Sequence, residues 1–134
     1  MTNAQQIPAF VNPESGNFEG ARAALEQTGS FIIQEVPPDQ LSARIEKAVS
    51  DGVKRLLIAG GDGSIRTAVE AVARKDVELG VLPSGTLNHF AKDHGLPLDL
   101  NEAATLAASA SAAPTDVGRV GEHLFHGTSS IGAY

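Results

Sequence analysis

The chain has 134 residues, 42% of them hydrophobic, which suits one globular domain with its own core rather than a disordered chain. A formal charge of −6 argues against a nucleic-acid partner, although backbone amides can still hold a phosphate inside an acidic protein. There is no cysteine, so a disulfide framework and a thiolate metal site or nucleophile are excluded. In chain order, the start "MTNAQQIPAF" has no basic end and no long apolar run, so no signal peptide is read there, and no run reaches membrane-spanning length. A cytoplasmic setting is therefore expected. "IPAFVNP" reads as a short buried strand stopped by Pro13. Residues 19–28 follow as a helix, with Ala21, Ala24 and Leu25 on one side. Residues 30–36 form a second strand closed by Pro37-Pro38, and 39–51 a second helix. In that helix Leu41, Ile45, Ala48 and Val49 make one apolar stripe, and Gly52 stands where a stop glycine belongs. "KRLLIAG" is the third strand, and a helix over about 64–75 follows it. Residues 78–83 are the fourth strand. "SGTLNHFAKDHG" reads as a loop entering a short helix that Gly95 ends. Another helix follows, opened by Asp99 and Glu102 in a capping box, and the remainder reads as a hairpin.

Strands alternate with helices at spacings that suit βαβ units, and the strands are continuous apolar runs, as in sheets buried on both faces. The expected fold is α/β, a three-layer sandwich around a mostly parallel sheet. In such folds ligands sit beyond the carboxyl ends of the strands. Three glycine-containing loops fall at that edge: "NPESG", "GGDGS" and "PSGTLN".

The second loop has the clearest chemistry. Glycines tolerate positive φ and let an anion approach the backbone. The helix start that follows offers unpaired amides and the positive end of its dipole. Ser64 can cap that helix and donate to a phosphate oxygen. Asp62 would repel a bare phosphate, so an acid here points to a Mg²⁺ bridge or to a hydroxyl that must be oriented. Other nucleotide signatures fail. A dinucleotide fingerprint needs glycine where the chain has Arg66, and no P-loop sequence is present. The four histidines lack the i, i+4 spacing of a helical zinc pair and read as surface or structural residues.

Taken together, "VNPESG", "IAGGDGS" and "GVLPSGTLNHFAKDHGLP" in this order resemble the catalytic domain of diacylglycerol kinase-type lipid kinases, a group that includes sphingosine kinases and is more distantly related to NAD kinases. The resemblance runs from Val11 to Tyr134, and "LPSGTLNHFA" is its most specific part. It implies ATP-dependent phosphorylation of a lipid hydroxyl. By it, Asn12, Ser15 and Gly16 would help form the nucleotide pocket. Gly60, Gly61, Asp62, Gly63 and Ser64 would hold the phosphates and Mg²⁺, with Asp62 as the catalytic and metal-binding carboxylate. Gly85, Thr86 and Asn88 would complete the pocket.

The chain departs from the family pattern at several positions. Ser64 replaces a usual Thr, Arg66-Thr67 a usual Asn-Glu, and His89 a usual Asp. Gly127 and Thr128 stand near a usual Asn. A carboxylate of the Mg²⁺ network is thereby expected to be missing, with Arg66 placed to face a phosphate instead. Family members also carry a second, β-rich domain that supplies lipid contacts and the general base. Residues 1–134 are expected to be the ATP-binding domain alone, without that second domain. Peripheral membrane contact would come through the absent domain, and an apolar face left bare by it would drive homo-oligomer formation. Two other readings stay open: a soluble-substrate kinase acting on a water-soluble alcohol, as NAD kinases do, and a non-catalytic nucleotide- or partner-binding module.

Overall fold

The computed structural model describes residues 7–73, 75, 77–85, 99–109 and 130–131. The elements are β1 (Ile7–Val11), α1 (Phe18–Thr28), β2 (Phe31–Glu35), α2 (Pro38–Ser50), β3 (Arg55–Gly60), α3 (Asp62–Val72), β4 (Glu78–Pro83), α4 (Leu100–Ser109) and β5 (Ser130–Ile131). The five strands form one sheet in the order β2-β1-β3-β4-β5, and every pairing is parallel. The short helix expected before Gly95 and most of the C-terminal hairpin lie outside the described residues. Within that C-terminal segment, Ser130 and Ile131 pair parallel to Glu78 and Leu79.

Alternation along each strand sends successive side chains to opposite faces. Leu56 and Ile58 of β3 join Phe10, Leu79 and Val81 on one face, where α2 (Leu41, Ile45) and α3 (Ile65, Ala68, Val69, Val72) cover them. Leu57 and Ala59 turn the other way with Ala9, Val11 and Leu82, and meet Ala21, Ala24 and Leu25 of α1 and Ala103, Ala104 and Ala107 of α4. The expected three-layer sandwich is therefore present. Its two cores differ in grain: branched side chains fill the first, and small alanines let α1 and α4 approach the sheet in the second. Double-sided burial holds for β3 and β4 but not for β2, which is half-exposed because it forms the sheet edge, with Ile32 46% exposed.

The helix ends follow from local chemistry. Gly52 takes a φ of 96° after α2, as a stop glycine should, and Gly29 does the same after α1 at 75°. Asp99 Oδ1 accepts from the Glu102 amide at 2.9 Å, which supplies one half of the expected capping box. At the amino edge of the sheet, Arg55 donates through Nε to Glu78 Oε1 at 2.8 Å and through Nη1 to the Ala107 carbonyl at 3.1 Å. One guanidinium thus ties β3, β4 and α4 together. Its side chain is only 21% exposed, so Arg55→Ala is expected to cost about 1–2 kcal/mol, more than a solvated ion pair would. A lowered denaturant midpoint at unchanged m-value would bear this out; an unchanged midpoint would contradict it.

Candidate active site

The strand order reverses at β1. The chain runs from β1 out to β2 on one side, while β3 lies on the other. Loops leaving β1 and β3 therefore part, and a crevice opens beyond their carboxyl ends. A cleft of about 350 Å³ occupies this switch point. Asn12, Ser15 and Gly16 enter it from the loop after β1, and Gly61, Gly63 and Ser64 from the start of α3. Gly85 after β4 and Pro38 at the start of α2 complete the wall.

The glycines of the β3–α3 junction are there for space. Among the described glycines positive φ occurs at Gly29 and Gly52, so the junction glycines do not use the conformational freedom that glycine allows. A Cβ on Gly60 would fall 2.8 Å from Ser64 Cβ, and one on Gly61 would fall 3.3 Å from Gly85 Cα. The first glycine lets α3 pack down on the strand end, and the second lets the β4 loop come close. A Cβ on Gly63 would meet nothing within 4 Å among the described residues, and Gly63 lines the cleft.

The start of α3 also differs from expectation. The sequence reading places Ser64 at the cap. In the structure Gly61 is the cap and the helix begins at Asp62, two residues earlier, because the Ile65 amide already donates to the Gly61 carbonyl at 3.0 Å. No side chain caps this end. The amides of Gly63 and Ser64 precede the first helical hydrogen bond and have no partner among the described residues. A helix end left in this condition at a cleft is suited to an anion.

Ser64 has a different task. It is 7% exposed, and its Oγ accepts from Asn12 Nδ2 at 3.2 Å. The Asn12 orientation is set by its Oδ1, which accepts from the Glu14 amide at 2.8 Å. Asn12 thus folds the β1 loop back on itself and holds the Ser64 oxygen from behind. Ser15 is fixed similarly, by its amide to the Asn12 carbonyl at 3.1 Å and by its Oγ, 3.1 Å from Ser84 Oγ.

Seven of the expected site residues are brought together: Asn12, Ser15, Gly16, Gly61, Gly63, Ser64 and Gly85. Gly60 lies directly behind them, against Ser64. Asp62 opens α3 beside the cleft, half-buried, without lining its wall. Arg66 is exposed on α3 and does not line the cleft either, contrary to the expectation that it faces a phosphate there. Thr86, Asn88, His89, Gly127 and Thr128 lie outside the described residues. Pro38 and Ser84 were not anticipated. Pro38 could have been found, because in a βαβ unit every helix start returns to the carboxyl edge; Ser84 belongs to the "PSGTLN" loop placed at that edge, but nothing singled it out within the loop.

Among the described residues no group of three His, Cys, Asp or Glu could hold a metal ion. The single carboxylate at the start of α3, Asp62, does not make a protein cage, but it suits Mg²⁺ shared with substrate phosphates, the usual manner in which this ion is held at nucleotide sites.

Fold and cleft together define a doubly wound α/β domain with an anion-suited crevice at its switch point. The chain belongs to the diacylglycerol kinase catalytic domain family, whose model matches residues 6–120. It is 32% identical over 124 residues to a diacylglycerol kinase of Mycobacterium tuberculosis, covering 86% of this chain and 40% of that protein. It is 38% identical over 119 residues to a Pseudomonas aeruginosa protein named "Probable lipid kinase YegS-like", covering 84% and 39%. The crystal structure of a diacylglycerol kinase from Bacillus anthracis str. Sterne superposes with a TM-score of 0.69 at 21% identity, over 85% of this chain and 45% of that one, and shows the shared fold. The chain thus spans about 40% of the length of these curated relatives. No helix among the described residues is long and apolar enough to cross a membrane.

Proposed function

We propose that the cleft receives the phosphates of Mg-ATP, and that the domain is the nucleotide-binding part of a kinase transferring the γ-phosphate to a lipid hydroxyl such as that of diacylglycerol. One observation carries this reading: the uncapped start of α3, with the amides of Gly63 and Ser64, meets a glycine-lined cleft at the switch point of a kinase-family domain. Backbone donors there need no reorganisation as charge builds on the transferring phosphoryl group. The Ser15 and Ser64 hydroxyls add donors from either side of the cleft. Asp62 would hold Mg²⁺ together with the nucleotide, and the ion would neutralise phosphate charge. The lipid hydroxyl would attack in line. The acceptor contacts, the general base and any membrane contact are assigned to a second, β-rich domain, and the setting to the cytoplasm. The choice of a lipid acceptor rests on the kind of kinase that the relatives are named for.

The test has two stages. Calorimetric titration of the folded chain with Mg-ATP should give saturable binding; none would overturn the nucleotide reading. Phosphotransfer to diacylglycerol in mixed micelles is then expected, by the chain alone or with a β-rich second domain supplied. Transfer to a water-soluble alcohol, with none to diacylglycerol, would overturn the lipid reading.

A further inference from the structure

Only two polar side chains among the described residues are buried, Ser64 at 7% exposed, in the cleft wall, and Ser84 at 1%, behind it. Burying a hydroxyl is costly unless a hydrogen bond compensates. Ser64 receives its bond from Asn12. Ser84 does not reach the cleft; its Oγ meets only the Ser15 Oγ, at 3.1 Å, while Ser15 does line the cleft. The Ser84 backbone is also a junction: its amide donates to the Gly60 carbonyl at 3.0 Å, and its carbonyl accepts from the Asn17 amide at 2.8 Å. The ends of β3 and β4 and the loop into α1 are thereby held through one residue.

We propose that Ser84 is a positioning residue that directs the Ser15 hydroxyl proton into the cleft. When Ser84 Oγ–H donates to Ser15 Oγ, the Ser15 oxygen is an acceptor at its back and its own proton turns forward, to an anion. Ser64 is arranged in the same way, since the Asn12 amide can only donate to it. Both cleft serines are thus supported from behind by a donor, one from Asn12 and one from Ser84. Two linked hydroxyls polarise each other, so the forward bond of Ser15 gains strength from the one behind it. This inference rests on the cleft being a phosphate site and deepens it, adding a residue that never touches the ligand.

A double-mutant cycle tests it, with Ser15→Ala, Ser84→Ala and both together titrated with Mg-ATP and, separately, with adenosine. Ser84→Ala keeps the backbone junction and removes only the hydroxyl. It is expected to weaken Mg-ATP about three- to ten-fold, the scale of one neutral hydrogen bond, and to leave adenosine affinity unchanged. In the Ser15→Ala background the same change should have no further effect on Mg-ATP. Ser84→Thr, which keeps the hydroxyl, should restore affinity relative to Ser84→Ala. Additive losses, or parallel losses for Mg-ATP and adenosine, would mean a purely structural role and overturn the proposal. Unchanged Mg-ATP affinity in Ser84→Ala, beside tight binding by the wild type, would overturn it alone. Absence of Mg-ATP binding by a folded wild type would remove the phosphate site and this proposal with it.

Discussion

Gly63→Val is expected to weaken Mg-ATP at least about a hundred-fold while leaving the fold intact, whereas Gly60→Ala is expected to lower stability. The two positions lie three residues apart in one loop, yet their surroundings differ. At Gly63 an added Cβ finds no atom of the described residues within 4 Å, on an exposed residue that lines the cleft. Valine there costs the helix nothing, since glycine is already a poorer helix former, so stability should hold within about 0.5 kcal/mol. Its branches would instead occupy space that a phosphate needs. At Gly60 the added Cβ lies 2.8 Å from Ser64 Cβ and 3.1 Å from its Oγ. Relief requires α3 to move off the strand end, at a cost of about 1–3 kcal/mol in stability. Thermal melts and Mg-ATP titrations on the two variants check both halves. A Gly63→Val protein that binds normally would refute the cleft as the phosphate site. A Gly60→Ala protein of unchanged stability would refute the packing role.

That contrast marks what could be read from residues alone. Apolar runs separated by helical stripes were enough for the layers and for the edge at which a ligand would sit, because burial on both faces leaves few other arrangements. The strand order was not legible. No local pattern says that β1 lies between β2 and β3, and it is this order that opens the crevice between the loops of Asn12 and Gly61. The edge position of β2 was hidden for the same reason: "FIIQE" is as apolar as an inner strand, and only its place in the sheet leaves Ile32 bare.

Within the site, the sequence placed the chemistry and missed the mechanics. Three glycines around one acid suggested a backbone that an anion can approach. The backbone there is ordinary, with Gly61 at φ −87°, and the glycines are needed because Ser64 and Gly85 come too close for a Cβ. Close approach of distant segments cannot be seen in a local pattern. The same holds for Ser84, which looks like one more turn serine until its partners from β3 and the loop into α1 are in place. Ser64 was read as a cap because a hydroxyl often serves there. A glycine at the cap leaves the amides of Gly63 and Ser64 available, which serves an anion better than a satisfied helix end would.

On the proposed kinase reading, Asp62→Asn is expected to lower phosphotransfer turnover on the order of a thousand-fold or more. The substitution keeps the shape and removes the charge at the first residue of α3. The carboxylate–dipole contact accounts for about 0.3–1 kcal/mol of stability, and a thermal melt checks that the variant stays folded. Two roles for the carboxylate then separate by the Mg²⁺ dependence of ATP binding. A carboxylate that shares the ion with the nucleotide predicts that Asp62→Asn needs more Mg²⁺ to reach half-maximal ATP binding. A carboxylate that orients the acceptor hydroxyl predicts an unchanged Mg²⁺ requirement with turnover still lost. The position favours the first: Asp62 stands beside the amides of Gly63 and Ser64, where a bare phosphate would be repelled by it and a shared cation would remove that repulsion. Near-normal turnover in Asp62→Asn would refute both roles.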